Sequence, residues 1–96
     1  MKYLIALETP QQVADALMKD PKGSIKQMKE MMAHIKPEVS YFSTTRRYSI
    51  MVVDVKDPHM ELRRIYENLS KMGEVTVEPL STFEEFIRFV EQMQSP

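Results

Sequence analysis

One carboxylate interrupts the most apolar strand that the sequence predicts. Asp54 lies near the end of the run Ile50-Met51-Val52-Val53-Asp54-Val55. A carboxyl group that loses water in an apolar pocket has a raised pKa and can act as a general base. In the other interpretation, Asp54 lies at the frayed end of a strand and pairs with a nearby Lys or Arg. Asp54 is the candidate catalytic residue.

Arginine and tyrosine side chains supply the candidate ligand-binding groups. Arg46 and Arg47 lie together at a predicted hairpin, and a guanidinium can form paired hydrogen bonds with a carboxylate or phosphate. Tyr3 and Tyr48 belong to apolar strands, and their hydroxyls could orient a small aromatic or cyclic ligand. The predicted ligand-binding residues are therefore Tyr3, Tyr48 and Arg47. The alternatives are a solvated turn for the arginines and core packing with a wet hydroxyl for the tyrosines.

The sequence contains no thiol and no metal-ligand pattern. Because the chain has no cysteine, disulfides, thiolate nucleophiles and Cys-ligated metals are excluded. His34 and His59 are not spaced as metal ligands are. Each lies near a predicted helix end, and each is interpreted either as a proton-transfer group or as a surface residue. We expect neither a metal nor a cofactor.

Length and composition predict one folded domain over residues 1–96. The chain is 43% hydrophobic and 28% charged, which is typical of a globular domain rather than a disordered segment. Its net charge of -1 favours neither nucleic acid nor an anionic membrane as a partner. The N-terminal apolar run is too short for a signal peptide or a membrane span. We expect a cytoplasmic protein.

Two predicted strands are apolar on both of their faces. These are Tyr3-Leu4-Ile5-Ala6-Leu7 and the run that begins at Ile50. A strand with one solvated face alternates apolar and polar residues, and these two scarcely do so. Both strands are therefore expected to be covered on two sides, in a chain that has few helices to cover them.

Capping residues and helix-breaking residues divide the rest of the chain into helices and strands. Strands are predicted over residues 2–8, 38–44, 48–55 and 74–80. Helix N-caps are predicted at Thr9, Ser24, Asp57 and either Ser81 or Thr82, the first two with glutamines, Gln12 and Gln27, at the capping-box position. Gly73 is predicted as the C-cap of the helix before the last strand.

This order predicts a ferredoxin-like α+β fold, β-α-β-β-α-β with an additional C-terminal helix and a four-stranded antiparallel sheet. In that topology the first and third strands are central, in agreement with their two apolar faces. The sheet face away from the helices would carry Tyr48, Ile50, Val52 and Asp54 from the third strand. A C-terminal helix folded underneath, a second subunit's sheet, or both could cover this face; a twofold dimer is the preferred solution.

The segment Arg47-Tyr48-Ser49-Ile50-Met51-Val52-Val53-Asp54-Val55, followed by an Asp-Pro helix start, resembles the dimeric α+β barrel superfamily. That superfamily includes muconolactone isomerases, antibiotic-biosynthesis monooxygenases and several short families. The resemblance implies a homodimer in which two sheets face each other, with a pocket between sheet and helices.

Two functional hypotheses follow from these observations. The first is a small dimeric barrel protein that binds a small organic molecule between sheet and helices, with catalysis left open. The alternative is a non-catalytic regulatory or structural dimerisation module. An RNA-recognition domain has the same order of elements but uses a glycine-containing third strand, and the interior of this third strand contains none. We therefore expect no nucleic-acid partner.

Overall fold

Four strands form one antiparallel sheet in the computed structural model, which describes residues 1–94. They are β1 (Lys2–Glu8), β2 (Val39–Phe42), β3 (Tyr48–Asp54) and β4 (Glu74–Leu80). The strand order is β2-β3-β1-β4, so the predicted central pair and the ferredoxin-like order are confirmed. β1 pairs with β3 along its whole length, from Lys2 opposite Asp54 to Glu8 opposite Tyr48.

Four helices accompany the sheet. They are α1 (Gln11–Met18), α2 (Pro21–Ile35), α3 (Pro58–Leu69) and α4 (Phe83–Gln94). The first crossover therefore consists of two helices, as the sequence predicts. No helix within residues 1–94 has the length and apolar character needed to cross a membrane.

The predicted caps of α1 and α2 are wrong. α1 begins after Pro10, which is extended, and no side chain caps it. α2 begins before Ser24, because the Asp20 carboxylate accepts a hydrogen bond from the Gly23 amide at 3.2 Å and Pro21 takes the first helical position. The Ser24 hydroxyl instead donates to the Leu17 carbonyl at 2.8 Å, which ties the two helices together.

The later caps follow the predictions more closely. Asp57 caps α3, with Pro58 at its first position. At α4 the Glu85 amide donates to the Thr82 hydroxyl at 3.1 Å, and the Thr82 amide donates to the Glu85 carboxylate at 3.2 Å. This reciprocal pair is a complete capping box.

Gly73 has a different role from the one predicted. α3 ends at Leu69 with Ser70 as its C-cap, so the prediction of Gly73 as that cap is wrong. A Cβ atom at Gly73 would collide with the backbone oxygen of Glu8. Glycine is needed here because the chain entering β4 passes directly against the end of β1.

The core lies between the sheet and the helices α2 and α3. Alternate residues of β3 are buried on this side, and Ile65 and Leu69 of α3 pack against them. Residues of the buried cluster are Ile5, Leu7, Met51, Val53, Val55, Ile65 and Leu69. Since Met51 and Val53 face the helices, Tyr48, Ile50 and Val52 lie on the opposite face, as predicted.

Candidate functional site

A cavity of about 310 Å³ opens between α2, α3 and the end of α1. Its apolar wall comes from Leu17, Met28, Met31 and Met72. Polar groups are contributed by Ser24, Gln27, His34, Asn68 and Lys71. On α2 the lining residues recur three and four positions apart, so that one face of the helix forms one wall.

A second cavity of about 210 Å³ adjoins the first. It shares Leu17, Met28 and Met72 with the first cavity and lies between the helices and the β1–β3 end of the sheet. Its other walls include Leu7, Phe42, Arg46 and Arg47 together with Tyr48. We call the two cavities together the methionine cleft.

The lining of the methionine cleft contains Lys and Arg residues and no carboxylate. Lys71 lies along the first cavity, and Arg46 and Arg47 lie along the second. Neither cavity is lined by an Asp or a Glu. The cleft is therefore an apolar groove with a positive margin.

Arg47 lies at the cleft, where the prediction places a binding group. Its Nε donates to the Thr9 carbonyl at 3.0 Å, and the Thr9 amide donates to the Arg47 carbonyl at 2.9 Å. These two bonds hold the β2–β3 loop against the segment between β1 and α1. Part of the Arg47 guanidinium is thus engaged in fixing the wall of the cleft.

Tyr48 and Arg46 form a contact at the same end of the sheet. The Arg46 guanidinium lies 5.0 Å from the centre of the Tyr48 ring, and its Nη2 is 3.8 Å from the Glu8 carboxylate. Tyr48 lines both the methionine cleft and a depression on the opposite face of the sheet. The structure therefore brings Tyr48 and Arg47 together, as two of the three predicted binding residues.

Asp54 lies at the other end of β3. Its carboxylate is 3.1 Å from the N-terminal amine, and its side chain is 54% exposed. Asp54 lies six positions along β3 from Tyr48, a distance of roughly 20 Å. It lies instead beside a polar cavity of about 410 Å³ whose walls include His34, Glu61 and Arg64. Asp54 is therefore paired at the end of β3, with the N-terminal amine and not a Lys or Arg as its partner.

Tyr3 is also remote from Tyr48 and Arg47. It is half-buried against the core, and its hydroxyl donates to the Met1 sulfur at 3.4 Å. Tyr3 pairs with Val53 across the strands, whereas Tyr48 pairs with Glu8 at the opposite end of β1. Tyr3 is therefore not part of the methionine cleft.

The sequence reasoning missed several cleft residues, including Leu17, Lys71 and Met72. The structure places Met28 and Met72 at the cleft, and Met72 also packs against the core cluster. The available signal was the count of nine methionines with no tryptophan, since methionine is frequent at adaptable binding surfaces. Within residues 1–94, no group of three or more His, Asp or Glu side chains is arranged to hold a metal ion.

A second apolar region lies on the sheet face away from the helices. We call it the open sheet face. Its residues are Leu4, Ala6, Val39, Tyr41, Tyr48, Ile50 and Val52. Tyr41 is 65% exposed, and Glu8, Glu74 and Glu78 border the depression at the β4 side.

The helix α4 does not cover the open sheet face of its own chain. Every α4 residue except Val90 is exposed, including Phe83, Phe86 and Phe89. The chain measures 59 Å along its longest axis against 27 Å along the next. Its radius of gyration of 16.3 Å exceeds the roughly 12–13 Å of a compact chain of this length. α4 is therefore a projecting arm with an unpartnered apolar stripe.

No known protein-family model matches this sequence, and no curated protein is significantly similar to it. The ferredoxin-like sheet agrees with the dimeric α+β barrel resemblance at the level of the fold.

Proposed function

We propose that this protein binds a small organic molecule in the methionine cleft and works as a homodimer. The observation that carries the first part is the apolar wall of Leu17, Met28, Met31 and Met72, which is edged by a few polar groups. Small-molecule sites are typically apolar concavities with a small number of convergent polar groups.

The physical character of the wall favours ligand binding over simple packing. Methionine side chains are unbranched and polarisable, so they can adapt to a ligand at little cost in strain. The first cavity, of about 310 Å³, lies at the lower end of the size range of ligand sites, and the adjoining cavity of about 210 Å³ lies below that range. A ligand of modest size is therefore expected.

The nine methionines allow a direct test by NMR with labelled methyl groups. In titrations with a fragment library, the methyl signals of Met28, Met31 and Met72 should shift while the exposed Met60 does not. Met28→Trp should fill the cleft and abolish these shifts, and Met60→Trp is the matched control at an exposed helical position. Shifts confined to methionines outside the cleft, or no shifts at all, would contradict the proposal.

The homodimer is proposed from the open sheet face and α4. Both carry exposed apolar side chains, including Tyr41, Phe83 and Phe86, and contiguous exposed apolar regions mark interaction surfaces. An isolated 12-residue helix is marginally stable in water, so α4 is expected to gain its stability from packing. A twofold pairing through the open sheet face covers the face and places α4 within reach of the partner.

Sedimentation analysis of two matched variants tests the dimer. Ile50→Lys places a charge on the open sheet face and should shift the chain toward the monomer. Ile25→Lys places the same charge at an exposed position of α2 and should leave the association unchanged. A wild-type chain that sediments as a monomer at high micromolar concentration would exclude the dimer.

A non-catalytic dimerisation module is the second candidate function. It is favoured because the two uncovered apolar regions, the open sheet face and α4, lie outside the methionine cleft. In that case the wild-type protein dimerises, and the methyl signals of the cleft methionines do not shift in any titration. The two experiments above therefore separate the two candidates.

A further inference from the structure

The lining of the methionine cleft also indicates the charge of its ligand. We propose that the cleft binds an organic anion with an apolar body, and that a carboxylate head group lies at the Lys71–His34 end. This proposal rests on the proposed function, because it names the chemical class of the ligand for that same cleft.

Carboxylates are unevenly distributed between the methionine cleft and the open sheet face. The chain carries 14 Asp and Glu residues and a net charge of -1, yet neither cavity of the cleft is lined by one. The depression on the open sheet face, in contrast, is lined by Glu8, Glu74 and Glu78. The cleft lining itself holds Lys71, Arg46 and Arg47 and no acidic residue, which favours an anion. His34 and Asn68 also line the neighbouring cavity that contains Asp54 and Glu61.

The cationic side chains of the cleft differ in how far they are already engaged by other groups of the protein. Arg46 lies over the Tyr48 ring and near the Glu8 carboxylate, and Arg47 donates to the Thr9 carbonyl. Lys71 makes no ion pair with any residue of the described part of the chain, residues 1–94. The head group is therefore assigned to the end of the cleft that Lys71 lines.

Three residues whose side chains can donate hydrogen bonds, Lys71, Asn68 and His34, line the first cavity. An ammonium and an amide nitrogen can only donate, and an imidazole nitrogen can donate as well. A carboxylate accepts several hydrogen bonds, so it matches this group better than a neutral hydroxyl does.

The remaining length of the cleft suits an apolar body. Past Met31, the groove continues along Met28 and Met72 to Leu17 and the Phe42 side of the second cavity. These side chains offer a ligand at most the weak sulfur acceptor of methionine, and polar residues such as Ser24, Gln27 and Ser43 lie beside them in the same walls. The expected ligand therefore has one charged end and one hydrocarbon or aromatic end.

Decanoate and decanol provide the test, because they share an apolar chain and differ in charge. Both are titrated below their aggregation limits at pH 7 into the full chain, with methionine-methyl signals as the readout. Decanoate should bind the wild-type protein roughly tenfold more tightly than decanol, since a charge-assisted hydrogen bond adds that much affinity. Its affinity should fall as salt is added, whereas that of decanol should not.

The variants are Lys71→Met and its control Lys56→Met, which removes the same charge from a loop outside the cleft. Lys71→Met should remove the preference for decanoate, and the methyl spectrum of the variant without ligand shows whether it is folded. Lys56→Met should retain the wild-type preference. If Lys71→Met fails to fold, the salt dependence of the wild-type protein decides the question.

The outcomes separate this proposal from the one on which it rests. Equal binding of decanoate and decanol at the cleft methionines would overturn the anion proposal while leaving the ligand site intact. A decanoate preference that persists in Lys71→Met would overturn the assignment of the head group. If neither compound shifts Met28, Met31 or Met72, both proposals fail.

Discussion

The methionine cleft and the open sheet face are two apolar depressions on opposite sides of one sheet. The cleft is walled by helices, its apolar residues are flexible methionines, and its charged groups are cationic. The open sheet face consists of strand residues, many of them β-branched or aromatic, and glutamates line its β4 side. Adaptable walls suit a small ligand, whereas a broad face of stiff side chains suits another protein surface.

Substitutions on the two faces of β3 are expected to show the largest difference in the free energy of unfolding. Met51 is buried among the helices, whereas Ile50 next to it is half-exposed on the open sheet face. Met51→Ala should lower the free energy of unfolding by about 2–5 kcal/mol at any protein concentration. Ile50→Ala should cost less than about 1 kcal/mol in dilute solution, where the proposed dimer would be dissociated.

Urea unfolding at two protein concentrations measures both effects. If a partner covers the open sheet face, the cost of Ile50→Ala rises with concentration while that of Met51→Ala does not. A cost of Ile50→Ala that is independent of concentration would indicate that this face stays in water.

Substitution of Gly73 tests whether the position of Met72 in the cleft depends on the contact between Gly73 and the end of β1. Gly73→Ala would force its Cβ against the Glu8 backbone, and crowding of this kind costs about 1–3 kcal/mol. Because Met72 precedes it, the methyl signal of Met72 should move even without ligand, whereas that of Met60 should not. Urea unfolding and the methyl spectrum check these two expectations, and an unchanged stability would show that the chain can bend away.

The capping box of α4 tests whether the arm is free or covered. Hydrogen bonds from the Thr82 backbone and side chain lower the pKa of Glu85 below its ordinary value. A carboxylate whose pKa is lower in the folded state adds stability above its unfolded pKa, and this is lost as the pH falls through the folded pKa. The helicity of α4 should therefore decrease on acidification, below about pH 4.5.

Circular dichroism of Glu85→Gln in comparison with the wild type checks this effect. The variant should show a weaker pH dependence of helicity in this acidic range. If α4 is covered by a partner at high concentration, packing replaces the cap as the source of stability, and the difference between the two proteins should shrink.

The smallest effect is expected from an ion pair at the edge of the open sheet face. The Lys2 ammonium donates to the Glu38 carboxylate at 2.9 Å, and this bond, with the charge of Glu38, raises the pKa of Lys2. A raised pKa adds stability below the unfolded pKa, which is lost as the pH rises through the folded pKa. Lys2→Met should therefore show a slightly shallower loss of stability above pH 10 than the wild type in thermal melts.

Local signals predicted the elements of this fold well, because each lies in a few neighbouring residues. The Asp57-Pro58 start of α3 and the Thr82–Glu85 box of α4 are both present. Two caps were misplaced where the chain offered competing signals, since Asp20-Pro21 precedes Ser24 and starts α2 earlier. Gly73 was misassigned because its constraint comes from Glu8, which is distant in sequence.

The candidate site was less predictable, because its residues come from separate elements. Tyr48 and Arg47 meet at the cleft, but Tyr3 and Asp54 lie at the other end of the sheet. Residues at opposite ends of the central strands lie about 20 Å apart, and the pairing register shows which residues share an end. Lys71 and Met72 joined the site only through the packing of α3 beside α2.

The amino-acid sequence by itself determined the order of strands and helices and the two-sided apolar character of β1 and β3, because periodicity and capping are local properties. The tertiary structure decided which side of β1 meets the helices, that α4 projects instead of folding underneath, and that three methionines and a lysine share one cleft. These outcomes depend on register and helix packing, which are set by contacts between residues far apart in the chain.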